Sequence, residues 1–196
     1  MAVAAVIRAA TTLDAAALAR IYNYYIANTV ITFEELPVSA AEMAARLAAT
    51  QALQLPWLVA DAPGGVCGYA YAGRWKDRSA YRRSVEITVY LDSSRTRQGL
   101  GTLLYAALFE RLRHTDVHVA IGGISLPNEA SVALHEKFGM HRLGQFQEVG
   151  FKLGRWVDVG YWQCVLPEPS SPRPGRSYGA TADPDGHQRQ RLRRDA

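Results

Sequence analysis

Cysteine is scarce in this sequence, with two residues among 196. Cys67 and Cys164 lie far apart along the chain, and each is surrounded by apolar residues. This distribution argues against a disulfide framework and against the closely paired ligands of a zinc site. We therefore expect two reduced, buried thiols, no bound metal and a cytoplasmic location.

The chain also lacks a long apolar run. No stretch reaches the roughly 18 residues that a membrane-spanning helix needs. The first eight residues show no basic region followed by a cleavage pattern, so we expect neither a signal peptide nor a membrane anchor. The 22 Lys and Arg residues outnumber the 18 Asp and Glu residues by four. This small excess is a weak argument for nucleic acid as a partner, although it suits an anionic ligand.

Composition divides the chain into two parts. Apolar residues make up 48% of the whole sequence, a share typical of globular proteins. They recur with regular spacing up to residue 166, which predicts one folded domain over residues 1–166. From Pro167 onward Pro, Gly, Ser, Arg and Asp dominate, and we expect residues 167–196 to form a disordered tail. The arginines near its end fit either a nucleic-acid contact or a solvated terminus.

Helical and strand patterns alternate within the predicted domain. Capping boxes at residues 11–14 and 39–42 predict the starts of two helices. Two apolar runs, 57–60 and 66–71, flank a Pro-Gly-Gly turn and predict a hairpin. The later patterns predict a strand at 85–91, a helix at 99–113, a strand at 117–124, a short helix between Asn128 and Gly139, and strands near 141–148 and 157–166. This order predicts a single α/β sheet with helices on both faces.

The most informative segment follows the predicted strand at 85–91. Residues 95–102 read Arg-Thr-Arg-Gln-Gly-Leu-Gly-Thr and lead directly into an amphipathic helix. Glycines at a helix N-terminus let a ligand approach the backbone N–H groups, an arrangement that favours phosphate. Two glycines are also compatible with an ordinary tight turn. The segment is neither a Rossmann fingerprint, which needs a third glycine, nor a Walker loop, which needs Gly-Lys followed by Ser or Thr.

The run Arg97-Gln98-Gly99-Leu100-Gly101 resembles the acetyl-CoA pyrophosphate loop of the GNAT superfamily of N-acetyltransferases. Other segments, in the same order along the chain, resemble its phosphinothricin and methionine sulfoximine N-acetyltransferase branch. They are Phe33 with Pro37, 56–60, 69–73, 75–76, 85–86, 89–90, 126–128, 131–132, 135–136, Gly139, 150–152, Gly154, Trp156, 158–160 and 162–163. The resemblance implies an α/β (α+β) domain with a mixed, mostly antiparallel sheet of about seven strands and helices on both faces.

The resemblance also implies that acetyl-CoA is the co-substrate and that no metal takes part. The residues that it implies for binding acetyl-CoA are Val89, Tyr90, Leu91, Arg97, Gln98, Gly99, Leu100, Gly101, Thr102 and Asn128. The first three would pair with the pantetheine arm through backbone groups, because a strand that diverges from its neighbour offers an unpaired edge. The loop residues would hold the pyrophosphate. Thr96 departs from the family, which usually has Gln or Arg at that position.

Acetyl transfer to an amine needs a base for the ammonium group and stabilisation of the departing thiolate. Strand alternation places Glu86 on the sheet face opposite Val85, which by itself fits a wet face of an ordinary sheet. The resemblance instead implies that Glu86 is the catalytic base. It implies a second catalytic group at His135, acting as a base or towards the thiolate. The pattern around His135 alone also fits a histidine on a helix surface.

Basic and aromatic residues cluster between positions 74 and 83, just before the Glu86 strand. They are interpreted either as a solvated loop or as a lid that binds an acidic amino acid through its carboxylate and its phosphinate or sulfoximine group. The resemblance implies a substrate pocket lined by Phe33, Arg74, Trp75, Lys76, Ser84 and Val85. We interpret Tyr105 as a packing residue, and Trp156 and Trp162 as core or dimer contacts.

The residues and the resemblance together predict an acetyl-CoA-dependent N-acetyltransferase. Its expected acceptor is the α-amino group of a small amino-acid-like compound such as phosphinothricin or methionine sulfoximine. The amine is expected to attack the acetyl group directly, in a ternary complex. The family implies a homodimer with the late strands near its interface. The alternatives are a transferase for another amine or a protein N-terminus, a CoA-binding module without catalysis, and a nucleic-acid binder. A role in antibiotic resistance and one in ordinary metabolism are both open at this point.

Overall fold

The computed structural model describes residues 5–167 of the chain. Within this range, one sheet is formed by seven strands in the order β1-β2-β3-β4-β5-β7-β6. The strands are β1 (Val6–Ala9), β2 (Trp57–Ala62), β3 (Gly65–Arg74), β4 (Ser84–Leu91), β5 (Val119–Leu126), β6 (His141–Lys152) and β7 (Arg155–Val165). The helices are α1 (Ala15–Asn28), α2 (Ala40–Ala52), α3 (Leu100–Arg113) and α4 (Glu129–Lys137). None of these helices is long and apolar enough to span a membrane. The predicted tail after Pro167 lies outside the described residues and stays a prediction.

The helices cover both faces of the sheet. On one face, α1 and α2 pack against aromatic residues of the strands, including Trp57, Tyr69 and Tyr90. On the other face, α3 packs its buried leucines against residues such as Ala70 and Ile87. All neighbouring strands are antiparallel except β4 and β5. The expected fold, a mostly antiparallel seven-stranded sheet between two helical layers, is confirmed.

The two predicted capping boxes begin different kinds of helix. At the start of α2, Glu42 N–H donates to Ser39 Oγ at 3.1 Å and Ser39 N–H donates to the Glu42 carboxylate at 2.7 Å. At residues 11–14 the box closes a short 3-10 turn, Thr12–Asp14, and α1 begins only at Ala15. Asp14 is also ion-paired at 2.8 Å with Arg8 of β1, which lowers the pKa of its carboxyl group to about 2.

Three strands differ from the expectation. The edge strand β1 is missing from the sequence analysis because it is four residues long and shows no alternation of buried and exposed positions. Strands β6 and β7 extend further towards each other than predicted and meet in a two-residue turn at Leu153 and Gly154. Both turn residues have positive φ, 51° and 75°. Leucine is an uncommon residue for this conformation, so the local sequence carries no usual hairpin signal there.

The sheet splits between β4 and β5. Their parallel pairing covers only three residues of each strand and ends at Glu86 and Ile121. Beyond this point β4 stays paired with β3 as far as Leu91, and β5 stays paired with β7 as far as Leu126. The two strands therefore part in the middle of the sheet and leave an opening between them.

The packing of α3 yields a test of the core. Leu104 is fully buried, whereas its neighbour Leu103 is 45% exposed. We expect Leu104→Ala to lower the free energy of unfolding by about 2–5 kcal/mol, because it leaves a cavity beneath the sheet. Leu103→Ala should change it by less than about 1 kcal/mol. Urea titration of both variants measures the difference, and equal losses would contradict this packing.

Candidate active site

A cavity of about 480 Å³ lies on the α1–α2 side of the opening between β4 and β5. Its walls come from a strap at residues 31–33, from β4 and β5, and from the adjacent ends of β6 and β7. The lining residues are Ile31, Thr32, Phe33, Glu86, Thr88, Tyr90, Gly123, Ser125, Val149, Gly150, Phe151, Val159 and Tyr161. A cavity of this size suits a small molecule.

Glu86 is the only acidic or basic side chain that lines the cavity within residues 5–167. Its Oε1 atom lies so close above Gly123 that a Cβ there would be 3.1 Å from it. Within residues 5–167, no protein group hydrogen-bonds the carboxylate. Burial raises the pKa of Glu86, and the positive charge of Lys76 opposes that rise. A half-buried carboxylate without a partner of its own is suited to accept a proton from a bound ligand.

His135 lies on the opposite face of the sheet and is 3% exposed. Its Nδ1 atom is 2.7 Å from the carbonyl oxygen of Ser131, which can only accept, so Nδ1 carries the hydrogen. Nε2 is then free to accept a hydrogen bond from the Tyr105 hydroxyl at 3.0 Å. Burial lowers the pKa of His135, which keeps the imidazole neutral. The structure therefore places His135 in a buried pair with Tyr105, outside the cavity lining.

Two consecutive glycines bring Glu86 and His135 close to the same segment of β5. A Cβ at Gly122 would lie 2.5 Å from the Nε2 atom of His135, and Gly123 lies under Glu86. Because successive strand residues face opposite sides, the two groups approach this backbone from opposite faces. Sequence analysis overlooked this glycine pair and treated Tyr105 as a packing residue. Glycine inside a strand often marks a close approach, and that was the available signal.

The loop before α3 presents unpaired backbone donors. Gly99 caps the helix with φ of 79°, and Arg97 is also left-handed with φ of 60°. The first intrahelical bond runs from Leu103 N–H to Gly99 O at 3.1 Å, so the N–H groups of residues 100–102 have no acceptor within the helix. Such a helix N-terminus is suited to bind an anion. Gly101 has another reason to be glycine: a Cβ there would lie 3.2 Å from Leu134 of α4.

The free edge of β4 lies along the opening. Asp92 N–H donates to Cys67 O on β3 at 2.9 Å, and strand alternation directs the backbone groups of Val89 and Leu91 the other way, towards β5. The Leu91 carbonyl accepts a hydrogen bond from the Tyr25 hydroxyl at 2.7 Å. Tyr90 directs its side chain into the cavity. At the far end of the opening, the Asn128 side chain caps α4 by accepting from Ser131 N–H at 3.2 Å.

The six residues expected to contact substrate do not all lie at the cavity. Phe33 lines the cavity and packs so closely on Gly150 that a Cβ there would lie 2.1 Å from its ring. Trp75 contacts the lining residue Tyr161 edge to face at 5.7 Å between ring centroids, and Lys76 Nζ lies 4.9 Å from the Trp75 ring.

Like Trp75 and Lys76, the other three expected substrate residues lie outside the cavity lining. Arg74 is turned towards Asp77, with 4.0 Å between the charged groups. Val85 lies in the core of the α3 face, because it has the opposite strand parity to Glu86. Ser84 begins β4 and pairs with Val119 of β5.

Contacts that sequence analysis missed hold the strap against the sheet. The buried Lys152 ammonium group donates to Thr32 O at 2.7 Å, and burial lowers its pKa. The Thr32 hydroxyl is 2.7 Å from that of Tyr22, whose pKa is raised to about 12 by burial. Lys152 is 120 residues from Thr32 in the chain, and Tyr22 is ten residues from Thr32. No local sequence pattern therefore links these partners.

Comparison with known proteins agrees with this geometry. The family model of the acetyltransferase (GNAT) domain matches residues 7–160. The chain is 41% identical over 170 residues to a phosphinothricin N-acetyltransferase of Streptomyces viridochromogenes, covering 87% of this chain and 92% of that protein. It is 39% identical over 168 residues to an L-methionine sulfoximine/L-methionine sulfone acetyltransferase of Pseudomonas paraeruginosa, covering 85% and 98%.

A solved structure supports the same assignment. The GNAT superfamily phosphinothricin acetyltransferase of Sinorhizobium meliloti, in complex with acetyl-CoA, has a TM-score of 0.83 and 34% identity. The match covers 92% of this chain and 98% of that one. The matched region includes the split sheet, the loop before α3 and both helical layers. The chain therefore belongs to the GNAT family of acetyltransferases.

Proposed function

We propose that this protein transfers the acetyl group of acetyl-CoA to the α-amino group of a small amino-acid-like substrate. The observation that carries the proposal is the Glu86 carboxylate, which has no hydrogen-bond partner among the described residues and lines the cavity beside the opening between β4 and β5. The relatives named for phosphinothricin and methionine sulfoximine support these two compounds as the first substrates to test.

The residues around the opening fit acetyl-CoA. The unpaired N–H groups of residues 100–102 suit its pyrophosphate, and the free edge of Val89 and Leu91 suits the amides of its pantetheine arm. The buried Gln98 Oε1 atom, next to the same loop, has no hydrogen-bond partner among the described residues, which supports a ligand there. When bound, acetyl-CoA supplies an activated thioester.

Glu86 is proposed to accept the proton of the substrate ammonium group, directly or through a water molecule. Neutral amine is the nucleophile, and a buried carboxylate with a raised pKa is a stronger base than an exposed one. His135 and Tyr105 are proposed to hold a proton near the departing thiolate, because their hydrogen-bonded pair lies against Gly122 where the strands part. Lys76 and Phe33 are proposed to contact the substrate from the rim and the strap.

The two cysteines support direct transfer. Cys67 and Cys164 are buried, and neither lines the cavity. Burial raises the pKa of both thiols, which disfavours the thiolate that an acyl-enzyme would need. Free, buried thiols also support the proposed cytoplasmic location.

The function is tested by release of the CoA thiol in the presence of methionine sulfoximine or phosphinothricin. We expect Glu86→Gln to lower kcat by about 10²–10⁴-fold, because the amide cannot accept the proton. His135→Ala should also lower kcat, and acetyl-CoA affinity, measured by calorimetry, should change little in both variants. Glu35→Gln and His114→Ala alter exposed side chains outside the cavity and are the matched controls. Unchanged kcat in both site variants would contradict the proposal.

The raised pKa of Glu86 predicts the acidic limb of the kcat profile. Only the deprotonated carboxylate is active, so kcat should fall as the pH drops through a pKa above the ordinary glutamate value of about 4.3. Lys76→Met removes the positive charge that holds this pKa down, and the limb should move to higher pH. Arg113→Met, which removes an exposed charge on α3, should leave the limb in place. A limb that moves to lower pH in Lys76→Met would contradict the assignment.

We propose that the protein forms a homodimer through the surface of the β6–β7 hairpin. Several large apolar side chains there are more than half exposed: Leu143, Phe146, Val149, Phe151 and Trp156. An exposed patch of this kind commonly marks a protein–protein contact. The hairpin also ends the sheet with β6 as an edge strand, so a second copy would cover unpaired backbone as well as apolar side chains.

Light scattering coupled to gel filtration tests the dimer. We expect a mass of twice 21.6 kDa for the protein and a shift towards the monomer mass for Trp156→Glu, which places a charge in the apolar patch. Leu13→Glu places the same charge at an exposed leucine far from the hairpin and should stay dimeric. A monomeric mass for the unmodified protein would contradict the proposal.

A further inference from the structure

The cavity around Glu86 is uncharged apart from Glu86 itself. Its lining, within the part of the chain that the structure describes, includes no Lys, Arg or His side chain. Polar and apolar groups share the wall, and its apolar part is formed by Ile31, Phe33, Val149, Phe151 and Val159. We infer that the cavity selects amino acids whose side chains are uncharged and discriminates against anionic side chains. This inference rests on the proposed function and specifies its substrate class.

The hydroxyl groups of the cavity offer little to an anion. The Thr32 hydroxyl is engaged by Tyr22 at 2.7 Å, and Thr88 lies opposite Tyr71 of β3 in the strand register. The Ser125 hydroxyl makes a long contact, 3.4 Å, with Ile31 O. The Tyr161 hydroxyl has no hydrogen-bond partner among residues 5–167. One neutral donor suits a neutral oxygen atom on the ligand, such as that of a sulfone.

Two cations near the strap are already engaged. Lys152 lies behind the strap, bound to Thr32 O and facing the negative charges of Glu34 and Glu35. Arg46 forms a two-pronged ion pair with Glu34, at 2.6 and 2.9 Å. Neither residue lines the cavity.

Lys76 is the cation whose charge acts on Glu86. The α-carboxylate of an amino acid is attached to the same carbon as the ammonium group that must face Glu86. A single cation beside Glu86 therefore matches the α-carboxylate and leaves the rest of the substrate without a positive partner.

The two kinds of substrate differ in the charge of their side chains. The phosphinate of phosphinothricin is anionic at neutral pH, whereas a sulfone or sulfoximine group is neutral. An anion that enters this cavity loses part of its hydration without gaining a cation in the lining, and it is repelled by Glu86. A neutral side chain of similar size loses much less. The cavity should therefore bind the neutral group better, although both compounds carry the same α-amino group.

The test compares kcat/KM for methionine sulfone and methionine sulfoximine with kcat/KM for phosphinothricin and glutamate. We expect the neutral substrates to exceed the anionic ones by at least about tenfold. Ile31→Lys places a cation in the wall at a side chain that is 40% exposed and so tolerates the charge. This variant should reduce the ratio by about tenfold or more, chiefly through KM for the anionic substrates. Ile31→Met has similar length without the charge and should keep the unmodified ratio.

The outcomes separate this inference from the proposed function. Equal or better use of phosphinothricin by the unmodified protein overturns the inference and leaves the transferase activity intact. An unchanged ratio in Ile31→Lys, with the variant folded by circular dichroism, also overturns it. Failure to acetylate any amino acid while calorimetry shows acetyl-CoA binding overturns the proposed function, and the inference with it.

Discussion

The site depends on the early end of the pairing between β4 and β5. Three paired residues bring the strands together at Glu86 and Ile121, and the next residues separate while remaining bonded to their outer neighbours. Backbone groups that are left unpaired inside a protein are costly, so such an opening persists only where the outer strands hold it or a ligand satisfies it. Here β3 and β7 provide that support, and the opening meets both the cavity and the N-terminus of α3.

Glu86 and His135 differ in their hydrogen bonding. Glu86 is kept without a partner in a half-buried position, and its pKa is raised. His135 is satisfied at both ring nitrogens and stays neutral. The glycine pair Gly122 and Gly123 permits both arrangements, because a side chain at either position would displace one of the two groups.

The cavity and the acetyl-CoA loop were not equally visible in the sequence. The loop is local: Gly99, Leu100 and Gly101 lie together in the chain, and their spacing predicts the helix start that the structure contains. The cavity is assembled from five distant segments, including the strap and the end of β6. Ser84 and Val85 were expected in the substrate pocket, yet strand parity directs Val85 into the core. Tyr161 and Thr32 carry no motif, and only packing brings them to Glu86.

The sequence by itself determined the order of helices and strands after β1, the capping of α2, the helix start at Gly99 and, through resemblance, the GNAT family. These features depend on neighbouring residues or on motifs in chain order. Only the tertiary structure decided where β4 and β5 part, which face His135 occupies, and that the cavity lining contains no cation among the described residues. The reason is physical: local propensity specifies elements, whereas strand register and long-range packing decide which side chains share a space.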